Sequence, residues 1–193
     1  MTADARSTPP PLADPRRIGA VIGLVGACVF VFSYTPGSAE PVSLAARLLT
    51  VAAVAAALWL LFVRPRPLGP FVPPSRIRIA VYAVCVVVEF AVIALGSRLL
   101  EAAGAAELRP ALIAAVVGLH FLPFAWAFSE RMFVVLGGAL VVIGGAGLVV
   151  GTGDGAATAA VSSGVVMALI LLAYAAGAFA PRRGLRQAPP TAG

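Results

Sequence analysis

Lysine is absent from this chain. All fourteen basic residues are arginine, set against eight acids and a single histidine in 193 residues. Cysteine is almost as scarce, with Cys28 and Cys85 only. A metal site wants three or four ligands, and one glutamate, Glu89, with one histidine, His120, is too few; no metal is expected, and no cofactor either. Both cysteines fall inside apolar stretches and read as free thiols, inert small apolar residues. The signatures of soluble catalysis are missing as well. The glycine-rich Gly151-Thr-Gly-Asp-Gly155 lacks the lysine of a phosphate-binding loop and reads as a turn. No catalytic residue is assigned, and an enzyme is the least favoured class.

Charge of either sign is rare, at 11% of residues, while 61% are hydrophobic and the mean hydropathy is +1.01. Soluble domains hold roughly 45–50% apolar residues. A chain of this size has no core large enough to bury such an excess, so lipid must cover it. The apolar residues gather into six stretches near 18–34, 44–63, 77–96, 110–128, 132–151 and 157–180. Each is about long enough to cross a bilayer as a helix. The expectation is an all-α membrane protein, a six-transmembrane-helix bundle over 17–180, with disordered tails at 1–16 and 181–193. Membrane lipid is the expected partner, and nucleic acid is not.

The arginines set the orientation. With six crossings, one side collects Arg6, Arg16, Arg17, Arg64, Arg66, Arg76, Arg78, Arg131, Arg182, Arg183 and Arg186, whereas the other collects Arg47, Arg98 and Arg109. By the positive-inside rule the side with eleven is cytoplasmic, and so are both termini. Arg16-Arg17 before an apolar run resembles a secretory signal, and Gly37-Ser38-Ala39 supplies a small-x-small site. The run is longer than the usual h-region of about 7–15 residues, so an uncleaved first helix is expected. The abundance of Ala, Gly, Pro and Arg together fits a GC-rich bacterial genome, and the expected location is a bacterial plasma membrane.

The longest internal connection, 64–76, carries five prolines. These stop the second helix and favour extended backbone. Its Pro-x-x-Pro spacings, Pro67 to Pro70 and Pro70 to Pro73, fit a peptide ligand, but a stiff hinge is the simpler reading. Small residues mark helix faces that approach closely: Gly19 with Gly23, Gly147 with Gly151, Gly164 with Ala168, and Ala173 with Gly177. Glycine lets helix backbones close up in lipid. Such faces meet within one chain by default. Between copies, or against another membrane protein, they would make a homo-oligomer or a hetero-complex.

Glu89 is the one acid inside a span. An ionisable group there is a functional candidate by default. It lies about twelve residues, roughly 18 Å, from the start of the third stretch. Arg78, Tyr82, Cys85, Glu89, Val92 and Gly96 recur at intervals of three or four and share a helix face. His120 lies about ten residues, roughly 15 Å, into the fourth stretch from the opposite end, which brings it to a depth similar to that of Glu89. Pro123, three residues on, cannot donate to the Leu119 carbonyl and favours a kink. Glu89, His120, Tyr82, Cys85 and Pro123 therefore form the candidate polar site. The sharp reading is a proton relay in a small permease-like transporter. The plain reading is an interhelical contact that fixes register in a non-catalytic scaffold or accessory subunit.

The segment Gly118-Leu-His-Phe-Leu-Pro-Phe-Ala125 resembles one found in small, uncharacterised, polytopic bacterial membrane proteins. The resemblance covers one helix and implies no activity. It implies only that His120 and Pro123 belong to a common element.

Overall fold

A computed structural model describes residues 14–35, 40–68 and 75–180. The tail expectations for 1–13 and 181–193, Gly37-Ser38-Ala39, and the Pro-x-x-Pro partners Pro70 and Pro73 lie outside the described residues. The described chain is all helix: α1 (Pro15–Tyr34), α2 (Glu40–Leu58), α3 (Arg76–Ala102), α4 (Arg109–Phe128), α5 (Arg131–Val150) and α6 (Gly153–Ala175). A π-helical turn, Trp59–Val63, extends α2, and a 3-10 turn, Ala106–Leu108, leads into α4. All six helices are long and apolar enough to cross a membrane. The helices overlap the six hydropathic stretches, but α1, α2 and α6 start three or four residues earlier, and two C-terminal ends differ more. α3 runs on to Ala102, because Ser97-Arg98-Leu99-Leu100-Glu101 holds nothing that breaks a helix. α6 stops at Ala175, and Gly177 then takes a left-handed φ of 83°.

Local chemistry explains the boundaries. Asp14 caps α1, accepting from the Arg16 amide at 3.0 Å, and Pro15 fills the first turn, where no amide is needed. Ser75 and Thr152 cap α3 and α6 in the same way. Gly151 (φ 68°) closes α5 in the left-handed conformation that favours glycine.

Packing is uneven. α6 is central: half of its most apolar window is buried, and it packs on α1, α2, α4 and α5. α1 and α2 lie together on one side. On the other side α4 and α5 approach backbone to backbone. A Cβ on Gly118 would fall 2.6 Å from the Val141 amide nitrogen, and one on Gly144 would fall 2.4 Å from that of Ala115. α3, the longest helix, has no buried residue and packs on α4. The bundle has an arginine-rich end, where α1 starts and α6 finishes, and an arginine-poor end, where Arg109 Nη2 pairs with Glu101 Oε2 at 2.6 Å and Arg47 Nε donates to Thr35 Oγ1 at 2.8 Å.

Candidate functional site

The shared face of α3 lies along α4. Antiparallel pairing brings Arg78 to Ala127 and Ser129, Tyr82 to Phe124 and Phe128, Glu89 to His120, and Gly96 to Leu112. Residues three and four apart stack on one side of a helix, so a short connection between two antiparallel helices suffices to zip the faces together. Within this strip His120 Nδ1 stands 3.2 Å from Glu89 Oε1, and the two side chains are only 13% and 12% exposed. The contact meets the distance but not the direction of a hydrogen bond, and Nδ1 has no directed partner. The imidazole is walled by Phe121, with centroids 4.2 Å apart, and by the edge-on ring of Phe124 at 4.8 Å. These aromatic faces leave the carboxyl as the polar neighbour of Nδ1.

Tyr82 lies tilted against Phe124, 4.7 Å between centroids. Cys85 is a half-buried free thiol between Tyr82 and Glu89 on α3. Pro123 sits inside α4, which continues unbroken to Phe128. Of the glycines singled out by spacing, Gly23 meets the Leu171 side chain, Gly147 meets Ala159 and Ala111, and Gly164 meets the Ala27 carbonyl and Val31. Gly19 has open space where its Cβ would be, and Gly151 and Gly177 serve as left-handed helix ends. Spacing identifies a face but not its neighbour, which is why one of a glycine pair can pack while the other is open. Gly118, Gly137 and Gly144, which form the tightest seam, are not all spaced as GxxxG and were legible only as glycine abundance.

A carboxyl and an imidazole in contact can hold and pass one proton. Among the described residues no three His, Cys, Asp or Glu side chains are grouped to hold a metal ion. Two hollows flank α6 toward the arginine-poor end. One lies against α5, the other against residues 41–49 of α2, and both include Thr158 and Ser162. Neither touches Glu89 or His120.

Sequence reasoning treated the arginines as orientation signals and missed a buried polar clasp at the arginine-rich end. Arg17 is 6% exposed. Its Nη1 donates to the Leu61 carbonyl and its Nη2 to that of Arg66 at 3.1 Å. Pro65 explains the first bond: it stands four residues after Leu61 and has no N–H to give that carbonyl. The π-helical turn closes beside it with the Arg64 amide on the Trp59 carbonyl, 2.9 Å. Arg16 grips Asp14 through Nε (3.1 Å) and Nη2 (3.0 Å), donates to the Leu68 carbonyl at 3.3 Å, and stands 3.9 Å from Glu130. Tyr174 is buried beside these charges. Burial pushes the Glu130 carboxyl above its ordinary range; Arg16 opposes that shift and Asp14 adds to it. The legible signals were Asp14-Pro15 as a helix start and Pro65 as a source of an orphan carbonyl.

A family of unknown function (DUF7010) matches residues 98–177. The match takes in α4, α5 and α6, hence His120, Pro123 and the glycine seam, and begins after Glu89. It covers less than half of the chain. No curated protein and no solved structure matches significantly.

Proposed function

We propose that this chain is a six-span protein of a bacterial plasma membrane with both ends in the cytoplasm, and that Glu89 and His120 form the proton-carrying site of a small permease-like transporter. The observation that supports this reading is the 3.2 Å approach of the two groups. Glu89 is the one acid of the six helices that lies away from a helix end, and His120 is the one histidine of the chain. An intramembrane carboxyl is costly and is retained where it pairs or carries protons. α3, which brings Glu89, has no buried residue and is held by α4, so it is the helix that can shift with least loss of packing.

The test is charge movement after a pH jump, recorded from the reconstituted protein on a solid-supported membrane. The wild-type protein gives a transient current, and Glu89→Gln loses it while still assembling. An unchanged current in Glu89→Gln overturns the reading.

A second reading has its own support. The backbone-close seam of α4 and α5 and the placement of both hollows away from Glu89 favour a non-catalytic membrane scaffold or accessory subunit. In that case Glu89→Gln leaves physiology unchanged and Glu89→Leu impairs assembly.

A further inference from the structure

The arginines of the arginine-rich end are of two kinds. Arg16 and Arg17 are consumed by the clasp. Arg76 and Arg131 are exposed, and among the described residues they have no hydrogen bond or ion pair. Between them lies a built surface. The Arg78 guanidinium stands 5.5 Å from the Trp126 ring, and its Nη1 donates to Ser129 Oγ at 3.2 Å and to the Ala127 carbonyl at 3.4 Å. Ser129 ends α4 in a left-handed turn, φ 55°. Two residues later α5 begins, and its N-cap, Glu130, gives no side-chain bond to the first turn. That carboxyl faces Arg16 in the clasp instead. The opening turns of α3 and α5 carry no acid. The first turns of α3 and α5, bearing Arg76 and Arg131, thus lie at the same end as the Arg78–Ser129–Trp126 contact, and among the described residues no acid pairs with either arginine.

The surroundings indicate the anion. Trp126 is 57% exposed, and Leu122 (39%) and Leu119 (52%) continue its stripe along α4. An exposed indole at the end of an apolar span marks the headgroup depth of a bilayer. The apolar stripe below it suits an acyl chain. We infer that Arg76, Arg78, Ser129 and Arg131, around Trp126, hold the phosphate of an anionic phospholipid of the cytoplasmic leaflet. This rests on the membrane topology proposed above. The lipid bridges α3, α4 and α5 across the α4–α5 turn.

The experiment titrates detergent-purified protein with short-chain phosphatidylglycerol or phosphatidylcholine at fixed ionic strength and reads the rise in melting temperature. Phosphatidylglycerol stabilises the wild-type protein more than phosphatidylcholine does. Arg131→Gln and Arg76→Gln, both at exposed side chains, each weaken its binding about fivefold, which is about 1 kcal/mol for one arginine near an anionic surface. Arg64→Gln removes the same charge at the same end, just after the π-helical turn that extends α2, a helix packed on α1 and α6, and leaves the affinity unchanged. Equal losses in Arg64→Gln and Arg131→Gln mean general basicity and overturn the site. Inorganic phosphate matching phosphatidylglycerol at equal concentration overturns the lipid as ligand. Lipid in the micelle reaches both ends of the bundle, so the measurement does not depend on orientation. Tag-accessibility mapping in cells tests the topology separately.

Discussion

Arg16 Nη1 stands 3.9 Å from Glu130 Oε1, a polar bridge between two halves of the bundle that otherwise meet chiefly through α6. On one side are α1 and α2. On the other are α5, the tightly seamed α4, and α3 riding on α4. Asp14 engages Arg16 through two side-chain bonds, and at Glu130 burial outweighs the attraction of Arg16.

This gives a pH dependence with a definite sign. Burial raises the Glu130 pKa above its ordinary value of 4.5, so the folded protein holds that proton more tightly than the unfolded chain does. Stability from this group is full below the ordinary value and falls as pH rises through the folded-state value. Thermal unfolding of the protein in nanodiscs should show that decline above about pH 4.5. Glu130→Gln should flatten it. An increase in stability with pH over the same window, absent in Glu130→Gln, would contradict the burial argument.

Arg17→Gln should destabilise by roughly 1–3 kcal/mol, because it leaves the buried Leu61 carbonyl without its donor. Arg64→Gln, at an exposed neighbour, should lie within about 0.5 kcal/mol of wild type. Hydrogen exchange should rise at residues 61–68 in the first variant and not in the second.

The α4–α5 seam predicts a contrast among glycines. Gly144→Ala places a methyl 2.4 Å from the Ala115 nitrogen, and backbone cannot give way cheaply. The expected cost is about 1–3 kcal/mol. Gly138→Ala and Gly19→Ala, with open space at the Cβ position, should be neutral. Graded denaturation in mixed micelles distinguishes them.

A double-mutant cycle of Glu89→Gln and His120→Gln should give a coupling near 0.6 kcal/mol, roughly the mean for interhelical polar contacts in membranes. Coupling indistinguishable from zero would show that the 3.2 Å approach carries no energy. It would also remove the pair as a register-fixing contact.

The α3–α4 strip was legible in the sequence. Arg78, Tyr82, Glu89 and Gly96 share a face by helical spacing alone, and a short connection to α4 leaves that face one obvious neighbour. Depth counting put Glu89 and His120 at one level because helical rise is constant. The clasp was not legible. Its members come from α1, the end of α2, the α4–α5 turn and α6, and hydropathy says nothing of which helix ends converge. Nor did glycine spacing separate Gly23, which meets Leu171, from Gly19, which meets open space.

The sequence by itself determined that six helices form, that each is long and apolar enough to span a bilayer, and that Glu89 and His120 stand level on consecutive helices. Those properties depend on local hydrogen bonding, apolar composition and helical rise, which a linear string contains in full. Only the tertiary structure decided that α6 lies at the centre, that α3 stays peripheral, and that Arg16 and Arg17 turn inward while Arg76 and Arg131 face out. Those outcomes depend on which surfaces fit at close range, and that fit exists only once helices distant in sequence lie side by side.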